Sequence, residues 1–221
     1  MPEQASFELE AELWQQGHDI VLGIDEAGRG CLAGPVTAAA VWLPPTGEYP
    51  YRDSKQLSHA RRAALAERIR GEALAWGVGW AAAAEIDELG VLKATHLAAQ
   101  RALEATGIGL GGTALVTDYL RLEHPGPVSA VARADQRSWQ VAAASILAKT
   151  ERDAFMCRLA RELPAYGFER HKGYGTAQHL QALALHGPCD QHRFSFAPVA
   201  RTVQQGGEGL QCANEPDFSR G

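Results

Sequence analysis

No stretch of this sequence approaches the ~20 consecutive apolar residues that cross a bilayer. The first 28 residues hold seven acidic side chains and neither lysine nor arginine. They therefore lack the basic and apolar regions of a secretory leader. The four cysteines, Cys31, Cys157, Cys189 and Cys212, include no CxxC pair. The reading is of reduced thiols in a cytoplasmic protein, with no membrane contact and no disulfide framework. His179, His186, Cys189 and His192 lie close in sequence, but their spacings match no zinc pattern. There is also no internal repeat.

What is present is enough apolar material for a substantial core: 46% hydrophobic residues in a chain of 221. The net charge of −5 argues against a nucleic-acid partner only until its distribution is read. The acids crowd the two ends, whereas residues 29–203 carry 20 basic and 16 acidic side chains, or +4. Any nucleic-acid face must lie in that middle region. The division expected is an acidic N-terminal extension at 1–19, a folded domain at 20–203 and a disordered polar tail at 204–221.

The chain is organised around Leu22 to Val36, LGIDEAGRGCLAGPV. Asp25 and Glu26 end a short apolar run, and a glycine-rich turn carrying Arg29 follows. Adjacent carboxylates at the end of a buried strand are costly without a neighbouring positive charge. A divalent metal is the usual remedy, since hard cations take oxygen ligands. Glycines beside an arginine let backbone approach a sugar or phosphate closely. Strands are predicted at 20–25 and 35–43, forming a hairpin, then at 75–84, 113–118 and 128–134. Helices are predicted from Ser58 as N-cap to Arg70, over 91–105, from Ser138 to Leu163, and over 176–185. This order describes a mixed α/β layer fold, with acids ending or following strands at 25–26, 118 and 135.

Several segments carry a family signature in order: GIDEAGRG, LAGPV, DSKQLS, a strand-end Asp, AAASILAKTERD, HKGYGT and HRFSFAPV. Over about residues 20–199 the chain resembles ribonuclease HII, the type 2 ribonuclease H family. The resemblance implies a ribonuclease H-like fold: a mixed five-stranded sheet flanked by helices, with a helical C-terminal portion. It implies hydrolysis of RNA in RNA–DNA hybrids and cutting 5′ of ribonucleotides embedded in duplex DNA, with Mg²⁺ or Mn²⁺ as cofactor. The catalytic, metal-binding carboxylates it implies are Asp25, Glu26, Asp118 and Asp135. Gly28, Arg29 and Gly30 would contact the nucleic acid around the 2′-hydroxyl, Lys55 would lie near the phosphates, and Tyr174 would stack on the following deoxyribose. A monomer is the default expectation. Two positions depart from the family pattern: Tyr119 stands where a glycine usually follows the third acid, and Arg133-Ala134-Asp135 replaces the usual KGD.

These residue types suit phosphodiester hydrolysis. Two metal ions activate water and stabilise the departing oxygen, and they need several carboxylates to hold them. Alternating side chains would put Asp25 and Glu26 on opposite strand faces, so one site can use both only if the strand bends or ends between them. Outside the motif, Asp25-Glu26 would be a turn pair and Asp135 a helix cap. Two other functions compete. Gly28-x-Gly30-x-x-Ala33 fits a loose dinucleotide-binding fingerprint, but that fingerprint must open a helix and here leads into a predicted strand. A non-catalytic hybrid-binding module would be expected to lack at least one of the four acids.

Overall fold

The computed structural model describes residues 5–52, 54 and 57–204. Lys55 lies outside the described residues, as does the predicted tail at 204–221 apart from Gln204. In chain order the elements begin with α1 (Glu8–Gln15), β1 (Ile20–Ala27), β2 (Val36–Trp42), α2 (His59–Glu72) and β3 (Ala75–Ala81). Then come α3 (Ala83–Leu89), α4 (Val91–Ala105), β4 (Thr113–Asp118), β5 (Val128–Val131) and α5 (Trp139–Glu162). The last helices are α6 (Phe168–His171), α7 (Ala177–His186) and α8 (Ala197–Gln204).

The five strands form one mixed sheet in the order β3-β2-β1-β4-β5. β1 runs antiparallel to β2, as expected of the hairpin, and parallel to β4; β4 is parallel to β5. Three strand limits differ from the sequence expectation. β1 continues through both acids, because Glu26 and Ala27 keep pairing with Ala38 and Thr37. β3 stops at Ala81, since the alanine-rich segment after it favours helix and the Glu85 carboxylate accepts the Ala82 N–H at 2.8 Å. β5 stops at Val131, because Arg133 turns left-handed (φ 58°) and leads into a single 3₁₀ turn, Ala134–Gln136.

Hydroxyl caps fix three helix starts, with Thr176 accepting the His179 N–H at 3.3 Å at the start of α7. Ser58 accepts the Arg61 N–H at 3.3 Å, and Ser138 accepts that of Val141 at 3.0 Å. Ser138, not Asp135, therefore caps the long helix. Pro164 follows its end, where a proline cannot continue the helical hydrogen bonding.

The structure divides into two compact units. The first takes in Met1–Ala27, Thr37–Gly79 and His96–Thr150. Its core joins Leu43, Tyr51, Leu65 and Ile69 to the Ala142–Ala148 face of α5. Helix α1, not anticipated from the sequence, packs Leu9 and Leu13 on Val21, Ala114, Val116 and Val141. It is tied to the start of α5: the Ser6 carbonyl accepts the Trp139 N–H at 2.8 Å, and Glu8 pairs with Arg137. The Ser138 hydroxyl donates to the buried Glu10 carboxyl, which burial pushes up to about 7. The second unit takes in Gly28–Val36, Trp80–Thr95 and Glu151–Gly221. Phe155, Met156, Leu159, Tyr166 and Phe168 form its main core, with Leu32, Leu183 and Val199 in a second cluster.

Small residues let α5 lie close on the sheet. Ala38, Ala39 and Ala40 are fully buried on β2, as are Ala142 to Ala144 on α5. A Cβ at Gly23 would collide with the backbone of Gln140 and Val141. Gly23→Ala is therefore expected to cost about 1–3 kcal/mol by overpacking. Thermal melting should show this as a midpoint several degrees lower; an unchanged midpoint would mean the helix can shift without penalty.

Candidate active site

The acids come from the ends of adjacent parallel strands. Ile24 of β1 pairs with Thr117 of β4, so Asp25 and Asp118 are each the next residue along. Asp118 also pairs with Val131 of β5. Its carboxylate accepts the Ala134 N–H at 3.3 Å, which fastens it to the turn that carries Asp135. Strand β1 does not end between the two acids: Asp25 pairs with Ala39 and Glu26 with Ala38, and the Glu26 charge still acts on the Asp25 carboxyl. Asp25 and Asp135 are buried, while Glu26 and Asp118 are partly exposed.

The Asp25 carboxyl is held well above the usual range, first by burial, then by the neighbouring Glu26 charge and, more weakly, by that of Asp118. It accepts the Glu26 N–H at 2.8 Å, and a hydrogen bond from the Ser145 hydroxyl opposes the shift. Ser145 in turn lies 2.9 Å from the Ser54 hydroxyl. Sequence analysis had missed both serines as site residues. They sit in the quoted DSKQLS and AAASILAK motifs, but hydroxyls of this kind carry no periodic signal.

An all-oxygen donor set with a carboxyl crowded by like charges suits a hard divalent cation, whose charge would relieve that crowding. Among the described residues, no three His, Cys, Asp or Glu side chains form a group already able to hold an ion. A hard cation such as Mg²⁺ takes waters and substrate phosphate oxygens to complete its shell.

Tyr119 accounts for the first departure from the family pattern. Its φ is 64°, and its N–H lies 3.2 Å from the carbonyls of Thr117 and Val131. The chain after Asp118 thus adopts the left-handed turn that glycine favours, at about 1–2 kcal/mol for a residue with a side chain.

In the second unit, two buried arginines fix the glycine-rich turn. Arg193 donates to the carbonyls of Gly28 and Arg29 at 2.8 Å, and to that of Gly34 at 2.8 and 3.0 Å. Arg152 donates to Pro35 at 2.9 Å, Ala33 at 3.0 Å and Lys172 at 2.9 Å. Gly28 has a φ of 93°, and a Cβ there would collide with the Arg152 guanidinium. Gly30 is different: it is exposed, and a Cβ there would meet nothing within 4 Å. The fold does not require its glycine. Arg29 is exposed beside it. The turn leads into β2 rather than a helix, which removes the basis for a dinucleotide-binding fingerprint.

Tyr174 is 43% exposed, with its ring 6.0 Å from the Arg152 guanidinium carbon. Burial raises its hydroxyl pKa, and so, more weakly, does Cys31. Its carbonyl can only accept, so His179 must donate from Nδ1 at 2.9 Å. His179 Nε2 is then an acceptor, and the proton between the rings, 3.0 Å apart, belongs to His192 Nε2. His192 Nδ1 accepts the Cys189 N–H at 3.0 Å. Both nitrogens of each ring are thereby used in the neutral state, which is a hydrogen-bond chain and not a zinc site. Burial is the first cause of depressed values in both rings, to about 4 for His179 and about 3 for His192.

In the unfolded chain both histidines return toward 6.5. The pair therefore contributes its full stability above that value and loses it as pH falls through about 4 and 3. The stability difference between wild type and His192→Gln, measured by urea unfolding, should shrink as pH drops from 7.5 to 4.5. A constant difference would show that the pair carries no proton linkage.

A family model described as ribonuclease HII matches residues 22–199. The chain is 56% identical to a ribonuclease HII of Thermus thermophilus over 193 residues, covering 87% of this chain and 93% of that protein. It is 47% identical to one of Neisseria meningitidis over 191 residues, covering 85% and 97%. Among solved structures, ribonuclease H2 of Pyrococcus horikoshii shares the fold with a TM-score of 0.72 at 22% identity, covering 84% and 97%. A Bst-RNase HIII structure in complex with Mn²⁺ gives 0.66 at 20%, covering 84% and 69%. A family match over most of the chain and relatives of this identity, on a sheet that brings its acids to adjoining strand ends, show that the chain belongs to the ribonuclease HII family and is a ribonuclease H endonuclease.

Proposed function

We propose that the chain hydrolyses the RNA strand of RNA–DNA hybrids and also cuts 5′ of ribonucleotides embedded in duplex DNA. Its catalytic domain is residues 20–203, and it acts as a cytoplasmic monomer. The observation that carries this reading is the register that puts Asp25 and Asp118 side by side at the ends of β1 and β4. Asp25, Glu26, Asp118 and Asp135 would hold the ions, with the Ser145 hydroxyl hydrogen-bonded to the Asp25 carboxyl. Two bound Mg²⁺ or Mn²⁺ ions would supply an activated water and stabilise charge on the leaving oxygen. Water would add to phosphorus as the bond to the 3′-oxygen breaks, losing one proton to solvent while the departing oxygen takes one from solvent, to leave 3′-hydroxyl and 5′-phosphate ends.

Gly28, Arg29 and Gly30 read the ribose. The exposed backbone at Gly30 allows a sugar hydroxyl to come within hydrogen-bonding distance, and Arg29 offers a forked donor to a phosphate. Tyr174 packs flat on the next sugar, where a 2′-hydroxyl would clash, and Lys55 is the residue the resemblance would bring to the phosphates. Reading a ribose and then its absence defines an RNA-to-DNA junction.

The test is cleavage of a labelled DNA duplex containing one ribonucleotide, with Mg²⁺ or Mn²⁺ present. Wild type should cut 5′ of the ribonucleotide. Asp118→Asn should lose more than roughly 100-fold in rate, exceeding the 10–100-fold typical of a supporting contact. Equal cutting by both would move the third ligand elsewhere, and binding without cutting by wild type would favour a non-catalytic module. Gly30→Ala should melt like wild type yet lose roughly 10–100-fold in rate, the scale of a misplacement of about 1 Å. Unimpaired cleavage would remove Gly30 from substrate reading.

A further inference from the structure

One side chain, that of Arg152, is hydrogen-bonded to both the glycine turn and the tyrosine loop. Arg152 is fully buried, and its three donor nitrogens go to three different carbonyls. Two of these, Ala33 and Pro35, close the turn that begins at Gly28. The third is Lys172, two residues before Tyr174 and itself left-handed at φ 50°. The missing side chain of Gly28 leaves room for the guanidinium against the turn. The same guanidinium lies 6.0 Å from the Tyr174 ring centre. The Leu32 N–H adds a direct link to the Gly173 carbonyl at 2.8 Å, and a Cβ at Gly173 would collide with the Ala33 carbonyl. Arg193 grips Gly28, Arg29 and Gly34.

We propose that Arg152 is a specificity-positioning residue: its rigid fork sets the spacing between the ribose-reading turn and Tyr174, and so sets the preference for an RNA-to-DNA junction. The inference rests on the substrate reading proposed above. A planar guanidinium with donors in fixed directions can hold three carbonyls at set separations; an ammonium on a flexible stem cannot. Loosening this link leaves both elements in place but lets their separation vary. Discrimination then falls more than catalysis.

The experiment compares kcat/KM for a duplex with a single embedded ribonucleotide against kcat/KM for a continuous RNA–DNA hybrid. Wild type, Arg152→Lys, Tyr174→Ala and the double variant are assayed below their melting midpoints. Arg152→Lys should lower the ratio of the two constants at least fivefold, while hybrid cleavage falls no more than threefold. The double variant should show no lower ratio than Tyr174→Ala alone, because the arginine acts through the tyrosine. Equal losses on both substrates, or losses in the ratio that multiply in the double variant, would overturn the proposal. Arg152→Gln, which keeps two N–H donors, replaces the lysine variant if that variant does not fold. If neither folds at the assay temperature, the proposal is also overturned, since the arginine would then support the whole unit rather than one spacing. Failure of wild type to cut at a single ribonucleotide would defeat the substrate reading itself. A wild type that cuts, with a ratio sensitive to Tyr174→Ala but not to Arg152→Lys, would defeat this inference alone.

Discussion

The second unit depends on carbonyl oxygens turned inward onto buried guanidinium groups. A buried arginine is costly unless its donors are used. Arg193 and Arg152 use theirs on the backbone from Gly28 to Pro35. Arg193 remains a base of about 10 despite the downward pull of burial, so it stays charged near neutral pH. Charge-assisted bonds to carbonyls are stronger than ordinary ones. They hold the turn in one conformation and leave Arg29 and Gly30 exposed at its surface. The rigidity of the turn thus comes from beneath it.

The first unit contains the opposite kind of strain. Asp25 is buried with other carboxylates as neighbours, and burial first, then the Glu26 charge, raises its affinity for a proton. A helix seated close on the sheet makes the arrangement possible. Gly23 and the alanines of β2 and α5 allow that approach, which brings Ser145 to the carboxyl. Packing elsewhere in the unit must offset what the acids cost. A carboxyl crowded in this way is stabilised by any positive charge placed beside it.

Much of this was legible from the residues. The hairpin of β1 and β2, the strand ending in Asp118, the helix capped by Ser58 and the extent of the long helix follow from local pattern and capping chemistry, whereas the cap of that long helix is Ser138 and not Asp135. The match to the ribonuclease HII signature supplied the rest of the architecture. Other features were hidden for physical reasons. Helix α1 is acidic and short, so Leu9 and Leu13 do not stand out as a core-facing pair. β1 passes through Asp25 and Glu26 because hydrogen bonding to Ala38 and Thr37 outweighs the preference to end at charge. The roles of Arg152, Arg193 and His192 depend on contacts between distant segments, and no spacing rule records them. Tyr119 was visible as a departure from the family pattern, but only the backbone shows that the turn keeps its left-handed form.

The histidine pair has an evolutionary consequence. Although the residues are chemically alike, their roles are unequal: one ring always gives the shared proton and the other always receives it. A substitution at His192 must keep a donor toward His179 and an acceptor toward Cys189. A substitution at His179 must keep the reverse order toward His192 and Tyr174. Few side chains satisfy either requirement alone. Across descendants of this sequence the two positions should drift together or not at all, as a single inherited character spread over two codons.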